Sequence, residues 1–344
     1  MDVMSVTGPL PVETLGVILP HEHLLMAFDW PGMWPDVSDY PELVWQDVSI
    51  ENLFALRRNY CAICDNARLD DIAEACLEVE RFKSAGGGAI MEVSTYGLNG
   101  NPAALKEISE RTGVPIFAGT GYYLDQTFSD EVKNLSIEGM YTVMMRDLSD
   151  GFPGTGVRAG FIGEVGISGE MTPSEERSLR AAARAQRDAH VSMNIHIGSK
   201  MYKKAIGILK EEGVNFKKLS FAHCDGLPVN SARELASLGF YVEIDCFGNE
   251  FYVDNGAYDG DWPWYFGNDG ERVRTVQRSI EAGLADHLFF SQDVCSKMQT
   301  VNYGGYGYAH LLENILPMLE HLGVAHDTLM KIMTANVARY LVGE

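Results

Sequence analysis

The sequence predicts an α/β fold, a (β/α)₈ TIM barrel with additional helices at the C-terminus. Short apolar runs rich in β-branched and aromatic residues occur eight times, and amphipathic segments with helical spacing separate them. This alternation indicates a parallel sheet covered by helices, and eight units favour closure into a barrel. A doubly wound open sheet is the alternative. The predicted strands span residues 14–20, 87–95, 114–123, 159–167, 191–198, 219–225, 239–247 and 287–294.

The segments between the strands carry signals for helix starts and stops. Residues 70–87 place apolar side chains at helical spacing and run into a triple glycine, which ends a helix. Thr172 is a predicted N-cap, and Glu175 occupies the capping-box position three residues later. From Tyr308 onward the pattern is helical, which supplies the eighth barrel helix and the terminal ones. We find no domain boundary, so residues 1–344 are interpreted as one domain.

Composition excludes several classes of protein. The chain has 27 Lys and Arg against 48 Asp and Glu, a formal net charge of −21 that repels nucleic acids and anionic membranes. No segment approaches the roughly 18 consecutive apolar residues of a membrane span, and the N-terminus lacks a secretory pattern, so we expect a cytoplasmic protein. Six cysteines in 344 residues, including the pair Cys61 and Cys64, are expected to be reduced structural thiols.

Two long segments follow predicted strands and are rich in aromatic residues. One covers residues 30–60 and the other 247–270, each at the carboxyl end of a strand, where barrel active sites are built. These aromatic residues either contact a substrate or fill the barrel mouth; whether the two loops close over a substrate stays open at this point. They are Trp30, Trp34, Tyr40, Trp45, Trp262, Trp264 and Tyr265.

Six residues able to bind a metal occur near the ends of predicted strands. They are His21, His23, Glu164, His196, His223 and Asp293. Because the carboxyl ends of barrel strands share one mouth, their side chains are expected to converge. A single buried histidine is more often a core residue, but six such residues together indicate a metal site. Imidazole and carboxylate donors suit Zn²⁺, with Mn²⁺, Fe²⁺ or Co²⁺ as alternatives, and a pair of ions sharing a hydroxide indicates hydrolysis.

Five short motifs follow one another along the chain at the ends of predicted strands. They are "HEH" after the first strand, "GFIGEVG", "IH", "AHCD" and "SQDVCSK". This ordered set resembles the phosphotriesterase family of the amidohydrolase superfamily. Further stretches such as "GGGAIMEVSTYG" and "ANVARYL" are similar to the phosphotriesterase-related proteins, also described as resiniferatoxin-binding. The resemblance covers nearly the whole chain. It implies a binuclear centre that binds a small-molecule substrate, and a homodimer by analogy.

The resemblance also implies roles for individual residues. His21, His23, Glu164 and Asp293 would bind the buried ion, and Glu164, His196 and His223 the more exposed one. Two departures matter. Glu164 stands where several members carry a carboxylated lysine, and its carboxylate can still bridge two ions. Cys246 stands where true phosphotriesterases carry a relay histidine, which argues against phosphotriesters as substrates.

The predicted reaction is attack of a metal-bridging hydroxide on a carbonyl carbon, with Asp293 as general base. Tyr123 resembles the family tyrosine near the exposed metal, although a packing role is the alternative. Lys297 either pairs with an anionic part of the substrate or is a solvated lysine.

The resemblance implies that the substrate is a small carboxylic ester, a lactone or an N-acyl amide such as N-acetyltaurine. The segment after the seventh strand has five acidic residues and no Lys or Arg, which disfavours a phosphorylated sugar lactone. Phosphotriester or phosphosugar-lactone hydrolysis, or a non-catalytic ligand-binding barrel, remain the alternative functions. No GxSxG motif indicates a serine nucleophile.

Overall fold

The computed structural model describes residues 1–28, 40–198, 200–252 and 265–343, and its centre is an eight-stranded parallel sheet. The strands pair in sequence order, and β8 returns to β1, where His21 N donates to Ser291 Oγ at 3.2 Å. A doubly wound sheet would reverse its order at a switch point, so the barrel prediction is confirmed. The strands are β1 Val17–Glu22, β2 Gly87–Glu92, β3 Ile116–Thr120, β4 Phe161–Ile167, β5 Met193–Ile197, β6 Leu219–Phe221, β7 Tyr241–Ile244 and β8 Leu288–Phe290.

Seven of these strands lie inside the predicted runs, but the predicted end of β1 was wrong. The strand begins three residues later than expected and continues past Pro20 to Glu22. The pairing of β1 with β2 shifts register between Leu19 and Glu22. Such an irregularity accommodates a proline, which cannot donate to the ladder. The strand therefore carries His21 into the interior of the barrel.

Helices follow the strands and cover the outside of the barrel. Within the described residues they are α1 Leu53–Arg58, α2 Ile72–Ser84, α3 Pro102–Thr112, α4 Asp130–Lys133, α5 Ile137–Ser149, α6 Pro173–Ala189, α7 Tyr202–Glu212, α8 Val229–Leu238, α9 Asp269–Glu281, α10 Leu316–His321, α11 His326–Lys331 and α12 Val337–Val342. Both predicted helix signals are confirmed. The α2 helix ends before the triple glycine, and α6 begins with the capping box of Thr172 and Glu175. No described helix is long and apolar enough to cross a membrane.

Two small antiparallel strand pairs, the first of them a hairpin, were not predicted from the sequence. Strands Asp2–Ser5 and Gly8–Pro11 pair at the N-terminus, and Val6 N donates to Ile116 O, which fastens this hairpin to the amino end of β3. Strands Met26–Ala27 and Arg68–Leu69 pair at the opposite end and fix the segment after β1. All six cysteines lie in the described ranges, and none forms a disulfide.

Candidate active site

The carboxyl ends of five barrel strands bring the six candidate ligands into one buried cluster. His21 lies in β1, Glu164 in β4 and His196 in β5. His23 directly follows β1, while His223 and Asp293 lie two and three residues after β6 and β8. None of the six side chains is more than 12% exposed. The structure therefore places all six where the sequence predicted that they would meet.

The carboxylate of Glu164 lies between two pairs of histidines. Its Oε1 atom is 2.6 Å from His196 Nδ1, 3.3 Å from His223 Nε2 and 3.6 Å from His21 Nε2. Its Oε2 atom is 3.8 Å from His23 Nε2. Three imidazole nitrogens thus lie near Oε1 and one lies near Oε2, so both oxygens of the carboxylate have a histidine beside them.

Asp293 completes the group around β1. Its Oδ1 atom is 3.3 Å from His23 Nε2 and 3.7 Å from His21 Nε2. Asp293 and His223 both have left-handed backbone, with φ of 50° and 56°. Such strain in a non-glycine residue costs of order 1–3 kcal/mol and persists where the surrounding structure enforces it. The backbone at both positions is held in the conformation that turns these side chains inward.

The donor set fits divalent cations. His21 is fully buried, and its Nε2 atom has no hydrogen-bond partner among the described residues. A buried nitrogen without a partner carries a desolvation cost that coordination to a cation removes. His21, His23 and Asp293 form one group of close donor atoms, and His21, Glu164 and His223 form another. Nitrogen and oxygen donors in such groups are those that Zn²⁺ and its first-row neighbours accept.

The electrostatics of the cluster favour a charged Glu164. Burial alone would raise the pKa of the Glu164 carboxyl, but the charge of His196 and hydrogen bonds from His196 and His223 hold it well below its usual range. Burial lowers the pKa of His196. Burial also opposes the charging of His21, but the hydrogen bond to Glu243 and the charges of nearby carboxylates outweigh it and raise the pKa of His21 to about 10. The buried carboxylates thus attract positive charge to the centre, and a divalent cation would supply that charge in place of protons on the histidines.

Two carboxylates from the β7 segment orient two of the histidines, and the sequence analysis missed them. His21 Nδ1 is 3.0 Å from Glu243 Oε2, and His223 Nδ1 is 3.2 Å from Asp245 Oδ1. Both carboxylates come from the β7 segment "YVEID", where they are two residues apart and so face the same side. Charged residues alternating in a buried strand are the signal that could have found them.

A similar chain of contacts reaches His23. Its Nδ1 atom is 2.8 Å from Ser94 Oγ, which donates to Glu92 Oε1 at 2.6 Å. Glu22, between the first two histidines, accepts from the backbone N–H groups of Gln292 and Val294 at 2.8 and 2.9 Å. The loop that carries Asp293 is thereby fixed to β1.

We expect Glu243→Gln to lower metal affinity by about 10–100-fold, the usual effect of losing a partner that orients a ligand. Asn194 Nδ2 donates to both oxygens of Glu243 at 2.8 and 2.9 Å, so the carboxylate is held in place while it accepts from His21. Competition with a chelator measures the affinity. Glu234→Gln, on the outer helix α8, is the control, and equal affinity in both variants would contradict the orienting role.

The two predicted substrate-binding residues lie in different surroundings. Tyr123 is 5% exposed, and its ring centroid is 4.9 Å from that of His196. Lys297 Nζ instead forms an ion pair with Asp65 at 2.5 Å, and it lines a separate cavity with Glu74. The structure does not bring Lys297 to the histidine cluster, because its ammonium group is directed to that carboxylate. The assignment of Lys297 to substrate binding is therefore not supported.

Two adjacent cavities lie at the cluster. A narrow one of about 40 Å³ is lined by all of the candidate ligands except His21 and by aromatic side chains that include Tyr60, Phe251 and Phe266. A wider one of about 370 Å³ shares His196, His223 and Phe266 with it. We call the first the reaction chamber and the second the side pocket.

The loops predicted to surround the site are described in part. Tyr265 lines the side pocket, and Tyr40 packs edge-on against Phe54. Trp45 is 70% exposed. The other predicted aromatic residues, Trp30, Trp34, Trp262 and Trp264, lie outside the described residues. Cys246, at the position of the family's relay histidine, has its Sγ atom 3.8 Å from His223 Nδ1.

Known proteins of similar sequence and structure agree with this geometry. The profile of the Phosphotriesterase family matches residues 1–341. A phosphotriesterase-related protein of Nematostella vectensis is 35% identical over 98% of this chain and 97% of its own length. The N-acetyltaurine hydrolase of Homo sapiens is 34% identical with the same coverage. The crystal structure of a resiniferatoxin-binding protein from Rhodobacter sphaeroides superposes with a TM-score of 0.91 at 30% identity, covering 99% of this chain and 95% of that one. The chain therefore belongs to the phosphotriesterase family and is a hydrolase.

Proposed function

We propose that this chain is a binuclear metal-dependent hydrolase that cleaves the carbonyl–nitrogen bond of N-acyl amides. The observation that carries the proposal is the Glu164 carboxylate, which lies between all four histidines: Oε1 faces His196, His223 and His21, and Oε2 faces His23. A single ion would need one side of this carboxylate, whereas two ions use both. His21, His23 and Asp293 would hold one ion, and His196 and His223 the other.

The donor chemistry favours zinc. Four imidazoles and two carboxylates form a mixed nitrogen and oxygen set that suits Zn²⁺, and Mn²⁺, Fe²⁺ and Co²⁺ are the alternatives that the same donors accept. When bound, such ions supply a hydroxide nucleophile at neutral pH and polarise the carbonyl oxygen.

Residues of the chain itself supply the proton transfers. Asp293 faces the space between the histidine pairs, with Oδ1 3.3 Å from His23 and Oδ2 3.9 Å from His223. We assign it as the base that takes a proton from the attacking water and returns it to the leaving nitrogen. The products are a carboxylate and an amine. Tyr123 lies beside His196 and is assigned to orient the carbonyl group of the substrate.

An amide is favoured over the alternative substrates by two observations. Relatives 33–34% identical over 98% of this chain are named N-acetyltaurine hydrolases, and the substrate in that name is an N-acyl amide. The segment 247–270 has no Lys or Arg, so it offers a phosphorylated sugar lactone no cation. Small carboxylic esters and unphosphorylated lactones pose the same problem of carbonyl attack and are the second choice.

Metal analysis and a substrate panel test the proposal together. We expect protein purified without chelator to contain two equivalents of divalent metal and to release amine from N-acetylated amines faster than it opens lactones or cleaves acetyl esters. Chelator-treated protein is the control and should be inactive until Zn²⁺, Mn²⁺ or Co²⁺ is restored. One equivalent of metal in active enzyme would overturn the binuclear assignment, and activity on esters alone would overturn the amide assignment.

A further inference from the structure

The side pocket begins at His196 and His223 and extends away from the reaction chamber toward α9. Its volume of about 370 Å³ is in the range of small-molecule sites, roughly 300–1,000 Å³. It is much larger than an acetyl group needs, and it opens directly onto two of the proposed ligands. A substrate held at the cluster therefore has a substituent that can enter it.

Most of the side-pocket wall is apolar. Its main apolar contacts come from Leu124, Ile167, Ile197, Leu227, Leu235 and Phe266. Four of these, Leu124, Ile167, Ile197 and Leu235, are at most 6% exposed and so present fixed hydrocarbon surface. Burying an apolar group on such a wall is favourable because it removes hydrocarbon surface from water.

The charges in the wall disfavour an anion. Asp225 and Glu271 line the side pocket, and Arg272 is its single Lys or Arg among the described residues. Asp225 Oδ2 is buried and has no hydrogen-bond partner among the described residues. A sulfonate, phosphate or carboxylate here would lose its hydration and face two carboxylates.

Arg272 does not attract an anion into the side pocket, because its guanidinium group is already bonded to other groups of the protein. It is 2% exposed, and Nε and Nη1 contact Asp225 and Asp269 at 3.1 and 3.2 Å. Its Nη2 atom donates to the carbonyl oxygens of Asn249 and Phe266. The guanidinium therefore neutralises internal carboxylates, and an incoming anion would have to displace them.

The reaction chamber adds no Lys or Arg, as far as its lining belongs to the described residues. The positive charge in the reaction chamber would therefore come from the metal ions.

We infer that the side pocket binds a neutral, apolar substituent of the substrate and rejects an anionic one, so the preferred substrates are N-acyl amides with a branched alkyl or aryl group. The inference rests on the proposed function and makes it more specific. The substrate in the relatives' name carries an anionic sulfonate, whereas the wall of this pocket suits a neutral, apolar group.

A matched pair of amides tests the inference. N-acetyltaurine and N-neohexylacetamide share the acetyl group and the two-carbon spacer, and a tert-butyl group replaces the sulfonate. We expect kcat/KM for the neutral amide to exceed that for the anionic one by at least about tenfold, as one or more methyl groups in an apolar pocket provide. An equal rate, or a preference for N-acetyltaurine, would overturn the inference. A second series of N-methyl amides with longer acyl groups shows which side of the amide bond enters the pocket. A rise of kcat/KM with acyl length would assign the acyl side to the pocket.

Leu227→Trp should remove the preference by filling the side pocket. Leu227 is half-buried, so the larger ring can enter the pocket without displacing the core. We expect the ratio of kcat/KM for N-neohexylacetamide to kcat/KM for N-methylacetamide to fall about tenfold. Leu238→Trp is the matched control. Leu238 is also half-buried, but it is the last residue of α8 and lies outside the pocket. A variant that keeps the preference would contradict the inference.

A binding measurement separates this inference from the proposed function. Methyl ketones in which CH₂ replaces the amide N–H of the two substrates are not hydrolysed, and calorimetry with the metal-loaded protein reports their affinities. Tighter binding of the tert-butyl ketone supports the pocket even if no amide is cleaved, in which case the proposed function alone fails. Tighter binding of the sulfonate ketone overturns the inference.

Discussion

Glu164→Gln is expected to release at least one divalent ion and to lower kcat by about a thousandfold or more. The substitution keeps the size of the side chain but replaces an anionic oxygen by an amide nitrogen, which does not bind a cation. Glu164 faces four imidazoles, so the loss affects both histidine pairs. A metal supplies several kcal/mol of transition-state stabilisation, and each 1.4 kcal/mol corresponds to roughly tenfold in rate. Elemental analysis and steady-state kinetics on the same preparation measure both effects.

Glu170→Gln is the matched control for this variant. Glu170 lies six residues further along the chain, is exposed and is outside both cavities. We expect it to keep two ions and the parent rate. Thermal unfolding of the chelated proteins then shows whether Glu164→Gln disturbs the fold itself. An active Glu164→Gln variant with two bound ions would rule out the bridging role and, with it, the binuclear proposal.

The positions of the candidate ligands could be predicted because barrel geometry converts sequence order into spatial order. Each predicted strand ends at the same mouth, so His196 and His223, 27 residues apart, meet with their nitrogens 2.7 Å from each other. Hydrophobic runs located seven strands closely because those strands are buried on both faces. Pro20 misled the prediction for β1, since a local register shift tolerates a residue that ordinarily ends a strand.

Residues whose role depends on a partner far along the chain could not be found in the same way. Lys297 was assigned to the substrate from its closeness in sequence to Asp293, yet Asp65, 232 positions away, pairs with it. Glu243 acts on His21 across 222 positions. Both contacts depend on tertiary packing. A local sequence signal exists only for Glu243, which belongs to the alternating charges of a buried strand. The same limit applies to the two small antiparallel strand pairs, whose strands are too brief to show a period.

Asp293→Asn is expected to lower kcat by roughly 10²–10⁴-fold while most of the metal is retained. General-base catalysis contributes about this factor, and an amide cannot take the proton that a carboxylate takes. The Asn side chain still offers one oxygen at the position from which Oδ1 faces His23 and His21. Asparagine also tolerates the left-handed backbone that this position requires, at φ 50°. The variant therefore separates proton transfer from metal binding and from folding.

Comparison with Asp293→Ala sharpens this test. Alanine removes the ligand oxygen and is less suited to the left-handed backbone, so we expect it to lose metal as well as rate. If Asp293 is the base, the two variants have similarly low kcat at saturating metal but different metal affinities. Unchanged kcat in Asp293→Asn would show that another group accepts the proton, and loss of both ions from it would assign Asp293 to metal binding alone. The backbone N–H groups on either side of Asp293 donate to the Glu22 carboxylate, and neither substitution removes these hydrogen bonds. The difference between the variants therefore reports on the side chain of residue 293 and not on the loop.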